Sequence, residues 1–295
     1  MGLNVNGVRA LCFAKRSGVD FSRSAMMGRQ GLYLTPRSLS RVLREADIDL
    51  GESDAQGLFQ AEKGFSEPLL AFLGATETDS FDASDYEGAS QIYDLNLALP
   101  SSFNEKYTMV LDSGTLEHVF NFPVALKNCM EMVAEGGHLL ILTPVNNFMG
   151  HGFYQFSPET FSCVLNNKNG FEIVKMIVFE DRPRAPWYEV SSPAAVNGRV
   201  TLCNKNPTYL FVIAVRKELV GRIDMQPQQS DYVVTWNRQG AEGSQERGIS
   251  RVRFLNALKR CVSPQIRTPL WKLFVKVFCG GYDIRFYKRM RPFLA

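Results

Sequence analysis

The 295-residue sequence lacks several patterns that would assign it to a specialised class of protein. Its six cysteines include no CxxC pair and it has only three histidines, so neither a disulfide framework nor a histidine-based metal site is expected. No uncharged run approaches the roughly 20 apolar residues that a transmembrane helix needs. Residues 8–18 (VRALCFAKRSG) are too charged for a signal peptide. These absences predict a cytoplasmic globular protein with reduced thiols and no metal.

Charge is distributed unevenly along the chain. Residues 248–295 contain eleven Lys/Arg and one acid, Asp283, whereas the remainder contains 22 basic and 29 acidic residues. Residues 250–262 and 269–278 are predicted to form basic amphipathic helices with aromatic side chains. Such helices suit an anionic membrane surface, which would make the protein peripheral at the inner face of the membrane. The alternative is that their apolar stripes dock on the rest of the chain, and no compact motif favours nucleic acid as a partner.

Strands and helices alternate over most of the chain, which predicts a doubly wound, mostly parallel α/β sheet with a ligand crevice at the carboxyl ends of its strands. The last two predicted strands have no helix-like segment between them, so they are expected to be antiparallel. The predicted helices are 4–17, 36–46, 66–75, 121–134 (ended by Gly136 and Gly137) and 157–170, and the predicted strands are 22–28, 77–82, 90–95, 107–112, 138–144, 171–181 and 208–217.

The same patterns divide the chain into three regions. Residues 1–217 are predicted to form the α/β domain, with its core at about 20–217. Residues 218–249 are polar and rich in Gln and Gly, which is typical of a linker or lid. Residues 250–295 form the basic extension.

Four segments of the chain together carry a resemblance to one known family. They are residues 82–84 (DAS), 93–96 (YDLN), 111–121 (LDSGTLEHVFN) and 135–144 (EGGHLLILTP). In this order they resemble the ends of the second and third strands, and the fourth and fifth strands with their flanking turns, of the class I S-adenosylmethionine-dependent methyltransferases of the small-molecule, methyltransferase-11-like branch. The resemblance covers about residues 20–217. It implies a seven-stranded Rossmann-like sheet with a final antiparallel strand, and S-adenosyl-L-methionine as the cofactor.

The resemblance also implies which residues hold this cofactor. It implies that Asp82 binds the ribose hydroxyls and that Asp94 contacts the adenine. The sequence alone also allows Asp82 to cap a turn and Asp94 to form an Asx turn. The family's glycine-rich turn after the first strand is reduced here to residues 26–31 (MMGRQG). This turn either meets the cofactor carboxylate through Arg29 or Gln30, or marks an altered or lost site. The full implied set is Gly28, Arg29, Gln30, Asp82, Ser84, Asp94, Leu95, Asp112 and Ser113.

A loop rich in polar groups, residues 146–159 (NNFMGHGFYQFSPE), follows the fifth predicted strand. On this loop, His151 is the first candidate for a base that deprotonates an acceptor hydroxyl, with Tyr154 nearby. His118, beside Glu117, is the second candidate. Each histidine also has a structural interpretation, since His151 could order its loop and the Glu117–His118 pair could cap a helix.

The sequence therefore leads to two hypotheses from different classes. In the first, the protein transfers a methyl group to a hydroxyl, with an amine as second choice, of a small molecule or of a sugar in a surface-polysaccharide precursor. In the second, it is a non-catalytic methyltransferase-like scaffold or binding module that docks on a membrane or protein complex through its basic extension. A third, weaker alternative is a different nucleotide in the same crevice, since a fold does not determine a function.

Overall fold

The computed structural model describes residues 2–196, 199–230, 232–233 and 282–293. The strands are β1 Gly2–Leu3, β2 Arg23–Met27, β3 Gly31–Leu32, β4 Glu77–Asp82, β5 Gln91–Ile92, β6 Tyr107–Ser113, β7 Val133–Asn146, β8 Phe171–Glu180, β9 Trp187–Val190, β10 Thr208–Arg216 and β11 Tyr287–Met290. The α-helices are α1 Val5–Arg16, α2 Pro36–Glu45, α3 Glu52–Ala61, α4 Glu67–Phe72, α5 Phe122–Met132, α6 Pro158–Val164 and α7 Pro193–Val196. Short 3₁₀ turns span Ser101–Phe103, Leu116–His118 and Asn167–Asn169.

The main sheet confirms the predicted topology. Its nine described strands lie in the order β5, β4, β2, β6, β7, β10, β8, β9, β11. The first five are mutually parallel, and β10 is antiparallel to both β7 and β8. The first seven strands in this order reproduce the arrangement that the resemblance implies, including the final antiparallel strand. The strands β9 and β11 extend the sheet beyond it.

The central strand β7 shows why this sheet is covered on both faces. Leu139 and Ile141 join one apolar cluster, whereas Leu140 and Leu142 join a second cluster on the opposite face. Apolar residues of α5 and α6 belong to the first cluster, and those of α1, α2 and α4 belong to the second. A strand with no polar face is therefore buried between two helical layers, as expected for a central parallel strand.

Several predicted boundaries were wrong. The polar residues 48–63, left unassigned from the sequence, contain helix α3. Helix α5 ends at Met132, and Gly136 and Gly137 lie within β7, where they were expected to stop the helix. A Cβ at Gly137 would lie 3.0 Å from the Thr108 carbonyl oxygen, so this glycine allows β7 to approach β6 closely. The predicted helix 157–170 ends at Val164, and the predicted strand 90–95 contains only the short β5.

The amphipathic helices predicted at 250–262 and 269–278 lie outside the described residues. The described end of the extension, residues 282–293, contributes β11, which pairs with β9 at the sheet edge. The region boundaries stay predictions. Within the described ranges, no helix combines the length and the apolar character that crossing a bilayer requires.

Arg216, at the end of β10, stabilises the end of helix α5. Its side chain is 3% exposed, and its guanidinium donates to the carbonyl oxygens of Val133 at 2.7 Å and Glu131 at 3.2 Å. The last carbonyls of a helix lack partners within the helix, so this arginine supplies donors that the helix cannot.

We expect Arg216→Met to lower the free energy of unfolding by about 2 kcal/mol, because it leaves buried carbonyls without a charged donor. Urea denaturation followed by circular dichroism measures this. Lys217→Met is the matched control, because Lys217 is the next residue and its side chain is exposed. This substitution should change the free energy of unfolding by less than about 0.5 kcal/mol. Equal effects of the two substitutions would contradict the role of Arg216.

Candidate functional site

The carboxyl ends of the parallel strands bring most of the predicted cofactor residues to one edge of the sheet. Met27 at the end of β2 is opposite Phe81 on one side and Asp112 on the other. The Gly28 amide donates to the Phe81 carbonyl at 2.7 Å, and the Tyr93 amide donates to the Asp82 carbonyl at 2.8 Å. The structure therefore brings together the turn after β2, the acid at the end of β4, and the segment that leads to Asp94.

The turn after β2 is held by its own side chains. Arg29 donates to Glu67 at 2.7 Å and to Glu62 at 3.0 Å, and its guanidinium lies 4.1 Å from the centre of the Phe65 ring. Gln30 is fully buried and donates to the Met27 carbonyl at 2.7 Å. Both side chains are already engaged within the protein, and the turn is built from ion pairs where the family uses glycine.

The predicted ribose residue, Asp82, ends β4, and the predicted adenine residue, Asp94, lies in the loop after β5. Asp82 is half-buried, and one of its carboxylate oxygens accepts the Ala83 amide at 2.7 Å. Ser84 is exposed in the next turn, whereas the Leu95 side chain is buried in the core. Asp94 is exposed and accepts the Asn96 amide at 2.9 Å, the hydrogen bond of an Asx turn, which lowers the pKa of its carboxyl.

Asp112, at the end of β6, is fully buried and organises the turn that follows. Its Oδ1 accepts the amides of Thr115 at 3.0 Å and Leu116 at 3.1 Å, while Oδ2 has no hydrogen-bond partner. Burial, reinforced by the charge of Glu117, raises the pKa of Asp112 well above its ordinary value. Asp112 therefore shapes the site from beneath, whereas the next residue, Ser113, lines the crevice described below.

The most unusual electrostatic feature of the edge is the buried carboxylate of Glu117. Its side chain is completely inaccessible to solvent, and Oε2 accepts a hydrogen bond from the Thr143 hydroxyl of β7 at 3.1 Å. Its other oxygen, Oε1, lies 3.6 Å from Nε2 of His151 and has no hydrogen-bond partner. Burial raises the pKa of Glu117 to about 7. Glu117 and His151 therefore form a carboxylate–imidazole pair in which the buried acid faces the imidazole.

His118 lies beside this pair, on the exposed side. Its ring centre is 5.0 Å from that of His151, and burial together with the charge of His151 lowers its pKa. The ligand atoms of Glu117, His118 and His151 lie within 4.8 Å of one another, which is close enough to hold a divalent cation after a small adjustment. The prediction of no metal rested on the low number of histidines, but the fold places two of the three next to one carboxylate.

The loop after β7 is anchored on the backbone of Glu117. The Glu117 carbonyl accepts the amide of Phe153 at 2.7 Å. Gly152 has a φ of +72°, and a Cβ there would lie 2.7 Å from the same carbonyl oxygen, so only glycine allows this approach. The hydroxyl of Tyr154 donates to the Phe120 carbonyl at 2.7 Å, which orients the loop, and its assistance in catalysis stays a prediction.

A crevice of about 100 Å³ lies where these elements meet. Tyr209, which the sequence did not single out, contributes a phenol whose pKa is raised to about 12 by burial and by nearby acids. Tyr209 is the second residue of β10, and since β10 is antiparallel to β7, its first residues lie at the carboxyl edge. That argument was available from the sequence. The lining residues are Gly2, Asn4, Ser113, Gly114, Glu117, Leu142, His151, Phe179 and Tyr209.

No model of a known protein family and no curated protein matches the chain. Among solved structures, it is similar to the YcgJ protein from Bacillus subtilis (7% identity, TM-score 0.37, covering 72% of this chain and all of that chain). It is also similar to a SAM-dependent methyltransferase from Thermotoga maritima (18% identity, TM-score 0.34, 72% and 91% covered). A third similarity is to a mutein of the branched-chain polyamine synthase from Thermus thermophilus (13% identity, TM-score 0.36, 77% and 61% covered). These values are too low to carry an argument about activity.

The close approach of Gly152 to Glu117 can be tested against a second glycine on the same loop. Gly150 also has a positive φ, but a Cβ there would meet no atom within 4 Å. We expect Gly150→Ala to lose roughly 1 kcal/mol of stability through backbone strain alone. Gly152→Ala should lose about 1–3 kcal/mol more, because the loop must move away from Glu117. Urea denaturation of both variants measures these losses in the free energy of unfolding. Equal losses would show that the contact between Gly152 and the Glu117 carbonyl imposes no constraint.

The raised pKa of Glu117 predicts that stability depends on pH. Between the ordinary value of 4.5 and about 7, the folded state binds a proton that the unfolded state releases, so stability falls as pH rises through this window. We expect Glu117→Gln to reduce the difference in unfolding free energy between pH 5 and pH 8 by about 2–3 kcal/mol. Glu135→Gln, at an exposed position of β7, should leave the pH dependence unchanged. A Glu117→Gln profile parallel to that of the unaltered protein would refute the assignment.

Proposed function

We propose that the protein is an S-adenosylmethionine-dependent methyltransferase that acts on a hydroxyl group of a small molecule. The observation that carries this proposal is the Glu117–His151 pair. It lies in a crevice at the same sheet edge as the loops of Asp82 and Asp94, and a buried acid beside a half-exposed imidazole is suited to proton removal.

The cofactor fits one part of this edge better than the other. Asp82 keeps a carboxylate oxygen without a described partner, and the exposed turn at Asp94 lies beside it, so these loops offer acceptors for ribose hydroxyls and adenine. At the methionine end, Gly28 has a φ of +67°, a conformation that favours glycine, but Arg29 is already neutralised by two glutamates. Bound there, the cofactor would supply an electrophilic methyl group.

The residues of the crevice would position the acceptor and remove its proton. His151 can accept the proton of an acceptor hydroxyl on one ring nitrogen while Nε2 faces Glu117, whose negative charge stabilises the imidazolium. The 3.6 Å separation is longer than a hydrogen bond, and such contacts often shorten when substrate binds. Phe179 and Tyr209 supply aromatic walls of the crevice beside the pair.

A finer assignment of the acceptor, to a sugar of a surface-polysaccharide precursor, is supported by the sequence resemblance and the basic extension. Peripheral membrane contact through residues 250–295 is supported by the basic amphipathic pattern of that segment. The alternative, a non-catalytic binding module, is favoured by one observation, the ion pairs that occupy Arg29. It predicts that the chain binds neither the methyl donor nor its demethylated product.

Calorimetric titration with S-adenosylmethionine and S-adenosylhomocysteine, followed by turnover with candidate acceptors, tests the proposal. We expect Asp82→Ala to weaken binding of both by about 1–3 kcal/mol, because ribose hydroxyls lose their acceptor. Asp85→Ala, in the exposed turn nearby, is its control and should bind normally. His151→Ala should leave both affinities nearly unchanged but lower turnover by about 100-fold or more.

Met149→Ala is the control for His151, since Met149 lies on the same loop and is 94% exposed. It should retain turnover. Absence of binding by the unaltered protein would support the non-catalytic module. Full turnover of His151→Ala would remove this residue from the mechanism.

A further inference from the structure

A second concave site lies outside the strand-end crevice. It is formed by α1, the end of α2, the segment between β8 and β9, and the end of β11, and its volume is about 580 Å³. This volume lies within the roughly 300–1,000 Å³ that small-molecule sites occupy. The stacked rings of Phe179 and Trp187, 5.2 Å apart, separate the two sites, because Phe179 lines the crevice and Trp187 lines this cavity.

The charged side chains of the cavity are mostly positive. Four arginines line it, together with two carboxylates, Glu45 and Asp47. Asp47 is paired with Arg16 at 2.6 Å, so its charge is already neutralised. Of the four arginines, Arg9 lies near Glu45. Among the described residues, no ion pair joins the remaining three, Arg184, Arg289 and Arg291, to a carboxylate. The cavity therefore carries excess positive charge. Part of this charge comes from the basic extension, which contributes Arg289 and Arg291.

Arg9 is the buried member of this group. It is 8% exposed, and neither its Nε nor its Nη1 has a hydrogen-bond partner. Its guanidinium lies 5.3 Å from the Trp187 ring and 5.7 Å from the Phe293 ring, and 3.7 Å from Glu45. Burial lowers the pKa of Arg9, Glu45 opposes this change, and Arg184 adds to it. Buried donors without partners are rare in folded proteins, so this arrangement calls for an anionic partner.

We propose that this cavity binds a small molecule through a phosphate or pyrophosphate group. A guanidinium group can donate two parallel hydrogen bonds to two oxygens of one phosphate. Several converging arginines therefore favour a multiply charged anion over a single carboxylate. The exposed side chains of Arg184, Arg289 and Arg291 would contact the phosphate oxygens, and Arg9, the buried member of the group, would donate to them from the nitrogens that lack partners. This site does not depend on the proposed methyl transfer.

The full-length protein at low ionic strength is titrated calorimetrically with inorganic pyrophosphate and with inorganic phosphate. Arg184→Gln and Arg289→Gln should each weaken pyrophosphate binding about tenfold, as expected for losing one charged hydrogen bond. Lys288→Gln is the matched control, since Lys288 is exposed on β11 next to Arg289 but does not line the cavity. It should change the affinity by less than about twofold. Arg9→Met removes the buried charge, and its folding is checked by circular dichroism.

A second arm separates two sources of phosphate. Vesicles of phosphatidylcholine with phosphatidic acid are sedimented with the protein in the presence and absence of pyrophosphate. If the protein binds pyrophosphate in calorimetry but does not sediment with vesicles, the ligand is a phosphorylated small molecule. If it sediments with vesicles, and both pyrophosphate and Arg289→Gln abolish the sedimentation, the ligand is a lipid headgroup in the same cavity. If pyrophosphate does not bind, or if Lys288→Gln weakens binding as much as Arg289→Gln, the proposal is overturned.

Discussion

The arrangement of the candidate site depends on one buried carboxylate. The side chain of Glu117 is held by Thr143 of β7, and its backbone carbonyl holds the loop that carries His151. Its burial is what raises its pKa, and the lack of a Cβ at Gly152 is what allows the loop to close over it. Moving Glu117 toward solvent would therefore lower its basicity and release the loop together. Packing and electrostatics are linked here through a single residue.

Such a site has a cost in stability. Asp112 and Glu117 are both buried acids with one unpaired oxygen, and each disfavours the negative charge of the other. A fold that needed only a rigid sheet would be more stable with apolar residues at these positions. Retaining two carboxylic acids beneath a small polar crevice is more easily understood if proton transfer takes place there. The same reasoning makes a pure scaffold the weaker explanation of this edge.

Local patterns in the sequence predicted the sheet well because they depend on neighbouring residues. The apolar run within β7 and the lack of a helix-like sequence pattern between β8 and β10 were enough to indicate a covered central strand and an antiparallel pair, although the structure places β9 and the short helix α7 in that interval. Contacts between distant segments were not accessible in this way. The bonds from Arg29 to Glu62 and Glu67 span more than thirty residues, and the approach of Gly2 to the crevice depends on the pairing of β1 with β3. The sequence therefore identified the edge and its histidines, but not the side chains already engaged there.

Two arginines show how a structure separates a structural charge from a binding charge. Arg29 stacks on an aromatic ring and is neutralised by two glutamates, so its bonds are complete without a ligand. Arg9 also lies against aromatic rings, but it is more deeply buried, has a single carboxylate at 3.7 Å and leaves two donor nitrogens unsatisfied. From the sequence, Arg29 was the candidate for ligand binding and Arg9 was an unremarked helical residue. Because a buried charge with unsatisfied donors costs more than one whose donors are paired, the requirement for an external anion falls on Arg9.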